Sequence, residues 1–205
     1  GQQHALDKLI EASSKPSLLE VVMSWVKRTP IMGSRVDDPD DAITVEDYVQ
    51  AHLEAFNKHS HDQQDFMMKT TDMKQEMVES RFDAARSQAR DFLLPGGDVD
   101  RARAGLLFIE SYRELPLLTW PRALVDAVVE LEESMVKWRH SHARMVERII
   151  GRRVGTGGSS GVDYLDATAA YRVFTDLWGV RTVLVRPGLR PKIGNPEFYG
   201  FTVGS

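Results

Sequence analysis

Cysteine is absent from all 205 residues, which excludes disulfides, thiolate metal ligands, zinc fingers and a cysteine nucleophile together. No apolar run approaches the roughly 18 residues of a membrane-spanning helix, and no charged-then-apolar leader opens the chain, so no membrane partner is expected. A surplus of positive charge is also missing. The 26 Lys and Arg face 30 Asp and Glu and are scattered along the chain, so nucleic acid is not an implied partner. Strand-like alternation is almost absent, there is no internal repeat, and low-complexity sequence is confined to one short Gly/Ser run. A cytoplasmic location fits this composition. The first residue is Gly1, which together with the early helical pattern suggests a piece of something longer.

What is present is helical periodicity, nearly from end to end, in a chain long enough for one domain with a substantial core. The expected fold is all-α, a helical bundle forming a single domain over residues 1–205. The spacing predicts helices over Gln3–Glu11 and Ser17–Lys27, and a loop from Pro30 to Ala42 whose acidic run Asp37-Asp38-Pro39-Asp40-Asp41 reads as solvated surface. Thr44, with Asp47 three residues on, predicts the N-cap of a helical region reaching Leu93 and interrupted in the polar stretch Asn57 to Gln64. His52, His59 and His61 in that region read as solvent-facing. Pro95-Gly96-Gly97 ends the pattern, and a further helix is expected between Asp98 and Glu114.

The strongest helical signal runs from Pro121 to Ile150, with proline suited to the first turn and Gly151 to the stop. With His142 as the zero of rotation, Leu124, Ala127, Val128, Leu131, Met135, Trp138, Met145, Val146 and Ile149 lie within about 60° of it. His142 is thus the one ionisable residue inside an apolar stripe, while His140 points to the polar side. An imidazole so placed needs a partner, because desolvation without one is costly. A core hydrogen bond would satisfy it, and so would ligation of haem iron, with Trp138 and Val146 covering the macrocycle one turn to either side. Periodicity alone does not choose between them.

Directly after this helix comes Gly155-Thr156-Gly157-Gly158-Ser159-Ser160-Gly161. By composition it resembles a flexible linker. It is not a nucleotide-binding loop: it lacks the lysine of the phosphate loop, its glycines fail GxGxxG at Ser160, and it follows a helix instead of a strand. Helical periodicity resumes at Asp163-Tyr164-Leu165 and continues through Ala170, Val173, Phe174 and Leu177, so ordered elements flank it on both sides.

The run Trp138-Arg139-His140-Ser141-His142-Ala143-Arg144-Met145-Val146-Glu147-Arg148-Ile149-Ile150-Gly151, followed by the GTGGSSG loop and Tyr164-Leu165, resembles the proximal-histidine helix and glycine loop of the tryptophan 2,3-dioxygenases and their relatives. Weaker similarity lies at Pro16 to Pro30, at Leu106 to Pro116 and from Tyr171 to Leu184. The resemblance implies a haem b cofactor whose iron is held by His142, with Trp138, Val146 and Tyr164 beside the macrocycle. It further implies that Thr156 and the amides of Gly155 and Gly157 receive the ammonium and carboxylate end of an amino-acid substrate. The implied reaction is insertion of O2 across the indole C2–C3 bond of tryptophan or an indole derivative, in a homotetramer.

The chain departs from the family in one respect. The segment that carries the family's distal-side aromatic, histidine and carboxylate-clamping arginine residues is not found in it, so the catalytic residues are unassigned. A companion N-terminal segment or polypeptide is expected to supply them. Two alternatives remain at this stage: a haem-dependent hydroxylase of a substituted aromatic amino acid, and a helical haem-binding fragment without turnover.

Overall fold

Seven α-helices make up most of the computed structural model, which describes residues 15–151 and 161–200. They are α1 (Leu18–Val26), α2 (Asp41–Thr70), α3 (Gln75–Leu93), α4 (Arg101–Ser111), α5 (Thr119–Ile150), α6 (Gly161–Ala169) and α7 (Thr175–Gly179). No strand forms among the described residues, and the one isolated bridge joins Ile31 to Ser34. The protein is all-α, as its periodicity predicts. The helix expected over Gln3–Glu11 lies outside the described residues.

Two compact units divide the described chain. One holds everything up to Arg122 together with the segment from Trp178 onward, and the other holds Ala123–Leu177. In the first unit, Ser17 and Glu20 form a reciprocal capping box on α1: the Ser17 amide donates to Glu20 Oε2 at 2.6 Å and the Glu20 amide donates to Ser17 Oγ at 3.2 Å. The Ser17 amide, with the Ser17 hydroxyl donating to the same Oε2 at 2.9 Å, holds the Glu20 carboxyl below its ordinary range.

Helix α2 begins earlier than Thr44. The Thr44 amide already donates to the Asp40 carbonyl at 3.0 Å, which places Thr44 inside the first turn. The start is held instead by Asp41, which is buried and receives Arg101 Nε at 2.9 Å, Arg101 Nη2 at 3.2 Å and the Ser34 hydroxyl at 3.0 Å. One end of the acidic run is therefore an internal ion pair and not solvated surface.

Helix α2 also passes unbroken through Asn57 to Gln64, and the chain turns at 71–74 instead. Two of the polar residues there meet α3: Arg86 Nη1 donates to Ser60 Oγ at 3.2 Å and to Gln64 Oε1 at 2.9 Å. Ser60 is buried, so its polarity belongs to a helix–helix contact and does not mark a break.

Helix α4 is the centre of this unit, with Ala104 through Glu110 all buried. It accepts α1 at very short range, since a β-carbon on Gly105 would lie 2.6 Å from the Val26 carbonyl oxygen. Tyr48 and Phe108 meet edge to face at 5.4 Å, and Tyr112 and Tyr199 close on Phe108 at 4.6 and 5.5 Å. The irregular C-terminal segment is held through its carbonyls and hydroxyls. Tyr112 donates to the Pro191 carbonyl at 2.5 Å, and Tyr199 receives the Gly33 amide at 2.9 Å while donating to the Pro30 carbonyl at 3.2 Å. Burial pushes the Tyr199 hydroxyl up to about 12.

His52 lies inside this unit, fully buried, with Nε2 2.8 Å from the Val183 carbonyl oxygen. That corrects the expectation of a solvent-facing histidine. Leu53, Val49 and Val45 are buried on the same side of α2, an apolar arc that the polar neighbours of His52 obscure in the sequence.

In the second unit, α5 ends at Ile150 on Gly151, whose φ of +66° is the left-handed conformation glycine tolerates best. Trp120 and Pro121 fall within its first turn, and Thr119 begins it. No described helix is long and apolar enough to cross a membrane.

Candidate functional site

The residues of α5 that are buried are Val125, Val128, Val129, Glu132 and Ala143. At 100° per residue these centre about 90° from His142. The packed side of the helix is therefore a quarter turn away from the stripe that sequence periodicity identifies. Along that stripe Leu131, Trp138, Met145 and Ile149 are 42%, 64%, 51% and 73% exposed. Contiguous apolar surface of this kind marks a place where something else binds.

His142 sits in the middle of it, half-buried. Its ring stacks on the Trp138 indole with centroids 5.3 Å apart and planes within 8°. No hydrogen bond or ion pair from a described residue reaches the imidazole. The core-histidine explanation therefore has no partner among the described residues, and the ring lies half-buried on a largely exposed apolar face. Among the described residues no group of three His, Asp or Glu side chains could hold a bare metal ion. A single imidazole set in apolar surface would suit a metal that brings most of its own ligands, as a macrocycle does.

Val146, one turn beyond His142, is half-buried, and His140 is exposed on the other side, both as the spacing predicts. Tyr164 in α6 is 63% exposed, and its carbonyl accepts from Thr168 Oγ1 at 3.1 Å. Gly155, Thr156 and Gly157 lie outside the described residues.

Three side chains of α5 hold the segment that follows the glycine loop. Arg144 pairs with Asp166 in α6, Arg139 Nη1 donates to the Tyr171 carbonyl at 2.6 Å, and Glu132 accepts from the Val173 amide and from the Phe174 amide, the latter at 2.9 Å. Glu132 is only 2% exposed. Sequence reasoning missed all three. Glu132 carries a signal in retrospect, since it is an acid lying within the arc of Val125, Val128, Val129 and Ala143, while Arg139 and Arg144 look like ordinary surface charges.

These features define the class: an all-α protein in which a long helix presents, on largely exposed apolar surface, a histidine with no hydrogen-bond partner among the described residues, ahead of a glycine-rich stretch of sequence. Residues 2–184 match tryptophan 2,3-dioxygenase as a family, and the chain belongs to that family. It is 44% identical over 202 residues to a tryptophan 2,3-dioxygenase-like protein of Xanthomonas campestris pv. campestris, covering 94% of this chain and 73% of that protein. It is 42% identical to a tryptophan 2,3-dioxygenase of Sorangium cellulosum and 34% identical to tryptophan 2,3-dioxygenase B of Danio rerio. It covers 52% and 49% of those two proteins, while 99% and 95% of this chain is matched. The chain thus spans about half the length of most of the relatives it resembles.

Proposed function

We propose that this chain forms the haem-holding half of an oxygenase that inserts O2 into the indole ring of tryptophan or an indole derivative. The observation that carries the reading is His142: a half-buried imidazole without a hydrogen-bond partner among the described residues, flanked by Trp138 and exposed apolar residues. Family membership supports the reaction class. Haem b, once bound, would supply the oxygen chemistry, and the residues of this chain would bind and orient around it. His142 would hold the iron, with Trp138, Val146 and Tyr164 covering the ring. Stacking on Trp138 would restrict rotation of the imidazole.

Gly155, Thr156 and Gly157 would receive the charged end of the substrate, where missing side chains and a hydroxyl donor suit a carboxylate. The clamps from Glu132, Arg139 and Arg144 fix the segment just downstream and so restrain one end of that loop. The distal groups would come from a companion segment, in a cytoplasmic homotetramer.

Purified chain reconstituted with haemin should develop a Soret band that His142→Ala loses or shifts. With the companion segment present, L-tryptophan and O2 should give the absorbance of a kynurenine-type product. An unaltered Soret band in His142→Ala would remove the site assignment, and a mono-oxygenated indole would replace dioxygenation with hydroxylation.

A further inference from the structure

Trp138 and His142 stand four residues apart on α5, a spacing that makes side chains on one helix face into neighbours. Their rings lie 8° from parallel with centroids 5.3 Å apart, which is an offset stack. The turn that carries them is fixed from its packed side. Ala143 is fully buried, Arg139 Nη1 donates to the Tyr171 carbonyl at 2.6 Å, and Arg144 pairs with Asp166. With the backbone held there, the freedom left to His142 lies in its side-chain torsions, and the torsion that turns the imidazole about its own bond has only broad preferences. Among the described residues the Trp138 indole is the one ring against it.

A metal takes imidazole through a lone pair in the plane of the ring, so the metal–nitrogen bond lies in that plane. A macrocycle bound through an axial position stands perpendicular to that bond. It would therefore stand roughly perpendicular to the imidazole and, since the two rings are nearly parallel, to the indole as well. Trp138 would turn an edge to the macrocycle and keep its face on the ligand. Val146, one turn to the other side, has no ring with which to do this.

We propose that Trp138 is a positioning residue that sets the direction in which the plane of the His142 imidazole lies across the macrocycle. The proposal rests on the haem reading of His142. An axial imidazole overlaps different iron d orbitals according to that direction, so the residue that fixes it tunes the iron by way of its ligand.

The test compares Trp138→Leu, Trp138→Phe, His142→Ala and the unsubstituted chain, each loaded with haemin. The readout is the pattern of haem methyl proton shifts in the ferric cyanide adduct, which depends on the direction of the axial imidazole plane. Trp138 is 64% exposed, so its substitution empties no core, and far-ultraviolet circular dichroism should be unchanged. Trp138→Leu should alter the methyl pattern and speed haemin transfer to apomyoglobin about two- to tenfold. Trp138→Phe keeps a ring to stack and should restore the pattern. An unaltered pattern in Trp138→Leu overturns the proposal whatever the transfer rate, because it reduces the indole to apolar contact. A Phe variant that behaves like the Leu variant overturns it too. Failure of the haem reading looks different: the unsubstituted chain gives no Soret band, or His142→Ala leaves that band unaltered, and the proposal then falls with it.

Discussion

Two histidines show how much a residue's role depends on what surrounds it. His52 must donate from Nε2, because the Val183 carbonyl 2.8 Å away can only accept, and this leaves Nδ1 as a buried bare acceptor. Protonation would put a second N–H where no acceptor lies. Burial accordingly lowers the His52 pKa below its ordinary 6.5, with the Val183 bond opposing it more weakly. The sign follows from linkage: below about pH 6.5 the unfolded chain takes up a proton that the folded chain refuses, so stability is full only above about pH 6.5 and falls as pH drops from there toward the depressed folded value. Urea midpoints measured from pH 7.5 to 5 should decline, and His52→Gln should be less stable at pH 7.5 but show a shallower decline. An equal slope in the variant would assign the pH dependence to other groups. His142 has no such partner among the described residues.

Among the elements, α5 is legible in sequence to within two residues at its start and at its end, because Pro121, Gly151 and a strong apolar period all agree. Its orientation is not legible. The apolar arc around His142 is real, but the side that packs is defined by Val125, Val129, Glu132 and Ala143, which carry fewer large apolar groups. The clamp explains part of this: Glu132 is buried because two backbone amides need it. Glu132→Ala strips the Val173 and Phe174 amides of their acceptor and should cost about 1–3 kcal/mol. Hydrogen exchange should speed up at those two amides while the amides of α5 stay protected. Unchanged exchange at both amides would mean the clamp contributes nothing. The α2–α3 pair gives the converse lesson, since the polar stretch Asn57 to Gln64 reads as a break only until Arg86 is brought against Ser60 and Gln64.

For the molecule as a whole, the exposed stripe on the second unit is the property that needs a partner. If haem covers it, dye that reports exposed apolar surface should bind the haem-free chain and be displaced as haemin is added, reaching a plateau near one equivalent. Dye binding that is indifferent to haemin would place the cofactor elsewhere. Family and helical class are both readable from the chain alone, because they reside in local periodicity and in contiguous motifs. The Arg101–Asp41 pair, 60 residues apart in sequence, leaves no such trace.

Residue order therefore determined where the helices form, which histidine interrupts an apolar arc, and which family the chain joins. Those outcomes depend on neighbours within a few turns, where spacing dictates what faces the same way. Only the tertiary structure decided that His52 is interior, that Asp41 is paired, and that Leu131, Trp138, Met145 and Ile149 of the apolar stripe of α5 stay exposed to one side of its packed face. Burial is set by elements distant in sequence, which compete for the limited surface each helix can bury.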